Sequence, residues 1–374
     1  MKQLSFILFF VLLFILRNTI EAKSLKHDKK SLKNQELPAY TKSSPIKFYL
    51  QDDNIVNYAQ GAIDFIEFST FLKFSKQSRK INDVGINFYY NNKEDKVELS
   101  YDNKKPTIVN LTKNTYNSKH LAKFYVGYAL GLIPEIARKD RDSEVKIFSQ
   151  NILAKYKKFY DKKKGYPESY YATDFDYSSM MMFNSSFGSI EKGKRTFKSE
   201  FESFYEKQIG GLGSYSFNDY KRLNILYFKD KCKNAPKCQN KGYYGNNCNE
   251  CKCVYPFAGK YCKSYAKKIG TCEDSFLNAY SNAKTITFNK YAGECYYIIK
   301  AKSKRRKVKL TIVNFKGVGQ YKLEVKYRKD KGAAGLLINR DVKNIVFPSL
   351  SSSVIVTYHT YNVSSVLTIK YQAK

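Results

Sequence analysis

The chain of 374 residues has no tryptophan, three histidines and no cysteine before position 232. Each shortage excludes something. Without cysteine, residues 1–231 can form no internal disulfide, so a domain there must be held by its apolar core. The histidines are His27, His120 and His359, and none has a second histidine near it, whereas a helix-borne metal centre needs two on one face a turn apart. Long apolar runs are missing too. The best covers residues 4–16 and is broken only by Ser5; it is short of the ~20 residues that a membrane-crossing helix needs. Acidic residues number 33 against 66 Lys and Arg, a net charge of +33. Such a field favours acidic partners such as glycosaminoglycans, mucins or anionic cell surfaces.

Lys2, the short apolar run and the small residue Ala22 together read as a signal peptide over 1–22, removed after Ala22, with an uncleaved anchor as the alternative. A soluble, secreted product is therefore expected, with no membrane span, and nucleic acid falls away as a partner. All eight cysteines (Cys232, Cys238, Cys248, Cys251, Cys253, Cys262, Cys272 and Cys295) lie between 232 and 295. An even number in a secretory context reads as disulfides. Acceptor sequons at Asn110, Asn184 and Asn362 fit the same route.

Residues 23–44 are polar and lysine-rich, which predicts a short pro-segment or a disordered lead-in. From Pro45 the pattern is globular. Ala59, Ala62, Ile63 and Ile66 predict an amphipathic helix over 55–70, and Val97, Leu99 and Tyr101 a strand. Ser118 is placed to cap a helix running to about Leu132, with Gly131 near its end. Strands, then helices, then a long irregular stretch to 230 predict an α+β domain over 45–231. Residues 232–262 hold six cysteines and too few apolar residues for a core, so disulfides must stabilise them, with 15 possible connectivities. Residues 270–374 alternate at Val308, Leu310 and Ile312, at Leu323, Val325 and Tyr327, at Val354, Val356 and Tyr358, and at Val366, Thr368 and Lys370, predicting an all-β sandwich.

The central helix carries Phe124, Tyr125, Tyr128, Gly131, Pro134 and Glu135, followed by Arg138, Asp140, Arg141, Asp142, Val145 and Ile147. Here the sequence resembles the astacin family of zinc metallopeptidases, within the metzincins, whose signature is H-E-x-x-H-x-x-G-x-x-H-E and then R-x-D-R-D-x-x-V-x-I. Further resemblances lie at Pro45-Ile46-Lys47-Phe48-Tyr49, Thr70-Phe71-Leu72-Lys73-Phe74, the Met-turn segment Ser179-Met180-Met181-Met182-Phe183, and Leu223-Asn224-Ile225-Leu226-Tyr227. The resemblance implies a metzincin fold and zinc-dependent hydrolysis of peptide bonds. It also implies that the three zinc-ligand positions are Phe124, Tyr128 and Pro134, that the general-base position is Tyr125, and that Phe183 replaces the family's Met-turn tyrosine. Only Met181, the floor of the site, is kept. No zinc or other cofactor is therefore expected. Phe124, Tyr128, Met182 and Phe183 should instead close the cleft as an apolar plug beside Met181.

The cysteine spacing over 232–262 resembles an EGF-like module, which implies the pairs Cys232–Cys248, Cys238–Cys251 and Cys253–Cys262. Residues 270–374, with Cys272–Cys295 and Tyr296-Tyr297-Ile298-Ile299-Lys300-Ala301, resemble a CUB domain, as in nematode-type astacins. The basic run containing Lys304, Arg305, Arg306 and Lys307 reads either as a site for sulfated glycans or as a solvated loop. The expected function is that of a secreted astacin homologue that binds extracellular proteins or peptides without cutting them. The alternatives are a matrix or glycan-binding protein working through its EGF and CUB modules, and a residual metalloendopeptidase.

Overall fold

The computed structural model describes residues 38–374 except 43, 52–56, 164, 210–212 and 304. The expected signal peptide, most of the lead-in, His27 and Lys304 lie outside the described residues. The end of the lead-in is part of the fold rather than a tail. Ala39–Lys42 forms a 3-10 turn, and Tyr40 is fully buried with its hydroxyl donating to the Ala129 carbonyl. A large ring with a satisfied hydroxyl gives this segment the apolar anchor that the lysine-rich composition concealed.

The first domain is built on a five-stranded sheet in the order β2-β1-β3-β5-β4, with β1 Ile46–Leu50, β2 Phe74–Gln77, β3 Ile86–Tyr90, β4 Lys96–Glu98 and β5 Thr107–Leu111. All pairs are parallel except the antiparallel edge strand β4. That strand is shorter than the Val97-Leu99-Tyr101 alternation predicted. After Glu98 the Ser100 amide turns to the Thr107 hydroxyl and the Ser100 carbonyl accepts from Ala39, so the ladder stops. Two helices carry apolar faces inward. Helix α1 (Asn57–Ser69) buries Ala59, Ala62, Ile63 and Ile66 as the pattern requires. Helix α2 (Lys119–Ala129) begins at Ser118, whose hydroxyl accepts from the Leu121 amide. It stops short of Leu132 because Gly131 takes a positive φ of 87°, the left-handed C-terminal turn that glycine makes cheaply.

The stretch to 230 is less irregular than its composition indicated. It contains α3 (Glu202–Gln208) and α4 (Phe217–Phe228), and α4 opens with a reciprocal capping box between Ser216 and Asp219. Three disulfides, Cys232–Cys248, Cys238–Cys251 and Cys253–Cys262, hold a small module with only two-residue strand pairs. Asn224 on α4 ties it down, donating to the Tyr244 and Gly245 carbonyls.

The rest is a β-sandwich. One sheet has six strands around Gly293–Ala301 and Ser353–Thr360; the other orders Lys284–Phe288, Val366–Ala373, Val308–Lys316 and Val342–Val346. Cys272 is bridged to Cys295. In the last strand the inward residues are Leu367, Ile369, Tyr371 and Ala373, not Val366, Thr368 and Lys370. Period-two patterning fixes a face only when the apolar parity is clear, and here both parities carry apolar residues. The basic run forms the turn between Gly293–Ala301 and Val308–Lys316, with Arg305, Arg306 and Lys307 exposed.

The sandwich docks on the first domain through polar contacts. Asp330 and Asp174 exchange bonds, each carboxylate accepting the other's backbone amide at 2.8 and 3.2 Å. Asn218 donates to Asp330 at 3.0 Å, and the Ala334 amide donates to Asp176 at 3.2 Å. Gln208 on α3 spans the strand ends, donating to the Gly335 carbonyl and accepting from the Leu337 amide. Arg328 pairs with Glu144 at 2.7 Å, and the Tyr205 and Tyr327 hydroxyls meet at 2.8 Å.

Candidate functional site

Helix α2 and the Met-turn face each other across the place where chemistry would occur. Phe124 and Tyr128, four residues apart, project from one face of α2 and stack with ring centroids 6.0 Å apart and an interplanar angle of 15°. Phe124 is fully buried and meets Phe183 of the turn at 4.3 Å. Phe183 stacks in turn on Phe187 at 3.7 Å. Phe159 closes the group, 6.0 Å from Phe124, 5.6 Å from Tyr128 and 5.8 Å from Phe183. The cleft is thus packed with rings, and Phe159 and Phe187 are members that sequence reasoning did not select. They sit in a 3-10 segment and a turn, where no periodicity marks inward positions.

Tyr125, at the position the resemblance gives to the general base, is buried beside the same rings, edge-on to Phe124 at 5.2 Å and to Phe159 at 6.4 Å. Burial pushes its phenol well above the usual range, so it holds its proton at any physiological pH. Pro134 is buried and starts the 3-10 turn Glu135–Ala137; its ring nitrogen carries no lone pair for a metal. Met181 is fully buried under α2. A Cβ on Gly127 would come within 2.8 Å of its sulfur, so the missing side chain is what admits the methionine.

The Met-turn is held by Asp219. Its carboxylate accepts from the Ser179 hydroxyl at 2.6 Å and the Met180 amide at 2.8 Å while also capping α4 at Ser216. The capping-box spacing was the one sequence signal for this residue. Behind the turn, Glu135 is fully buried and pairs with Arg222; its second oxygen accepts the Asp176 amide at 3.1 Å. Arg138 grips Asp140 through two bonds of 2.8 Å and reaches the Thr173 carbonyl at 2.7 Å. Arg141 donates to the Tyr160 carbonyl at 2.5 Å. The Arg-x-Asp-Arg-Asp segment is therefore a polar frame, anchored by the buried Arg138 with Asp140 and Asp142 exposed, that orders the backbone around the cleft.

These residues do not fit zinc. Two aromatic carbocycles and a proline stand where the resemblance puts the ligands, the phenols there are protonated, and among the described residues no pair of imidazoles converges on the space. Among the described residues no three His, Cys, Asp or Glu side chains converge as a metal site. His120 lies one turn before Phe124 and beside the backbone of Met180 and Met182. Burial lowers its pKa. His359 sits in the sandwich, 3.6 Å from Glu294.

The profile of the astacin peptidase family matches residues 33–228, more than half of the chain. The chain is 35% identical over 178 residues to zinc metalloproteinase nas-34 of Caenorhabditis elegans, covering 47% of this chain and 29% of that one. It is 28% identical over 211 residues to zinc metalloproteinase dpy-31 of Brugia malayi, covering 54% and 34%. The chain thus spans about a third of the length of these relatives. Among solved structures it is similar to high choriolytic enzyme 1, a hatching-enzyme zinc protease of Oryzias latipes, at 22% identity and a TM-score of 0.41, covering 49% of this chain and 88% of that one. Helix α2, the polar frame and the Met181 floor all fall within the matched span, and the chain belongs to the astacin family.

Proposed function

We propose that this astacin homologue neither holds zinc nor hydrolyses peptides, and that it works outside the cell by binding other proteins or peptides. The observation that carries the reading is Phe124, fully buried with its ring 4.3 Å from Phe183, where an astacin catalyst needs an imidazole and an open coordination position. The four disulfides support an extracellular setting. In this reading residues 1–22 are a cleaved signal, 45–231 the astacin-like domain, 232–262 an EGF-like module and 270–374 a CUB-like domain. Of the three sequons Asn184 is exposed, while Asn110 and Asn362 are part-buried; all three are proposed as acceptors. The test is elemental analysis of the secreted, gel-filtered protein together with cleavage of a denatured protein substrate. Metal well below one zinc per chain and no cleavage are expected. Stoichiometric zinc, or turnover that a chelator abolishes, would overturn the proposal.

A further inference from the structure

A large cleft lies away from the Met-turn, where α4, the disulfide module and the sandwich meet. Its volume is about 930 Å³, at the upper end of the ~300–1,000 Å³ typical of ligand sites. Eight lysines line it, contributed by all three parts: Lys221 and Lys229 from α4 and its end, Lys233 and Lys241 from the module, Lys300 and Lys329 from the sandwich among them. No aspartate, glutamate or arginine lines it. Composition does not account for this, because at the chain's ratio of 66 basic to 33 acidic residues such a lining would include several carboxylates. Elsewhere lysines do find acids, as Lys47 finds Asp83, Lys139 finds Glu168 and Lys162 finds Asp142.

Two of the lysines are directed inward. Lys221 donates to the Lys241 carbonyl at 2.8 Å, and Lys331 donates to the Ser353 carbonyl at 2.7 Å. Burial lowers the pKa of both, with Lys241 and Arg222 adding to the effect at Lys221 and Lys326 at Lys331, while Asp330 opposes it at both and Asp174 at Lys331. Asp330, the carboxylate felt by both lysines, already accepts from Asn218 and from the Gly332 and Asp174 amides. Tyr243, Tyr244 and Phe257 supply ring surface to the same cleft.

We propose that this cleft binds a sulfated oligosaccharide. Lysines act as point charges and suit sulfates spread along a chain, whereas planar recognition of carboxylate or phosphate favours arginine, which the lining lacks. The aromatic rings offer faces for sugar rings between the sulfates. The site is independent of the fate of zinc, and it differs from the exposed basic turn at Arg305, Arg306 and Lys307.

The test uses the full secreted chain and a heparin-derived octasaccharide, with binding measured by calorimetry at two salt concentrations. The triple variant Lys229→Gln, Lys233→Gln, Lys329→Gln alters exposed side chains only. The control, Arg305→Gln, Arg306→Gln, Lys307→Gln, removes the same charge from the basic turn. The cleft variant is expected to lose about tenfold or more in affinity, the scale of a few charge-assisted contacts, and the control less than about twofold. Desulfated octasaccharide should not bind. Equal losses from both variants, a larger loss from the control, or equally tight binding of polyglutamate or single-stranded DNA would overturn the proposal.

Discussion

Phe124 shows how one residue type decides both packing and chemistry. A histidine there would need an open, polar space; the phenylalanine ring is fully buried and meets Phe159 and Phe183. Replacing it with alanine removes that volume from a site walled by other rings, which cannot collapse freely. Phe124→Ala should therefore destabilise the protein by about 3–5 kcal/mol, read from denaturant unfolding at constant m-value. A silent substitution would mean that the cleft is open. The polar frame behind the plug is sensitive in a different way. Glu135 and Arg222 are both buried and offset each other's charge, with Arg138 beside Glu135 and Asp219 beside Arg222.

At the level of elements, Gly127 couples α2 to the Met-turn. Alanine is normally the better helix former by about 1 kcal/mol. Here its Cβ would lie 2.8 Å from the Met181 sulfur and 3.1 Å from the Tyr215 ring, both buried. Gly127→Ala is therefore expected to lower stability by about 1–3 kcal/mol despite the propensity gain, as overpacked cores do. A higher melting temperature for the variant would contradict this. The sequence disclosed the elements that carry a clean pattern. Helix α1 was legible from Ala59, Ala62, Ile63 and Ile66, the start of α2 from Ser118, and the first sandwich strands from their alternation. Helices α3 and α4 were not, because Tyr, Asn and Lys interrupt their apolar stripes and packing, not propensity, holds them. In the candidate site, the facing of Phe124 and Tyr128 followed from helical spacing. Phe159, Phe187 and Asp219 join it through tertiary contacts that no local period encodes.

At the scale of the whole molecule, the loop at 328–335 fastens the sandwich to the segment just ahead of the Met-turn. Lys331 in that loop is only 5% exposed, and burial pushes its pKa down to about 7; Asp174, Asp330 and Lys326 face it. The unfolded chain holds this proton up to the ordinary lysine value of 10.5. Between those values the unfolded state binds more protons, so stability contributed by this site rises with pH, and the penalty for a buried charge is complete below about 7. Lys331→Met should flatten that rise, by at most about 1.4 kcal/mol per pH unit, when unfolding curves of the variant and the parent are compared from neutral to alkaline pH. Parallel curves would place the ammonium in solvent.

The exchange of bonds between Asp174 and Asp330 has a consequence for how such a chain can change over generations. Modules joined by a slack linker can be traded between genes, because neither surface notices the other. Here a carboxylate in the last domain completes the backbone of the first, 156 residues away in sequence, and the reverse is equally true. A sandwich that arrived without Asp330 would leave the Asp174 amide and the Asn218 side chain without the carboxylate that accepts from them. The two halves are bound to be inherited as a pair, and a change on one side of the seam selects for an answering change on the other.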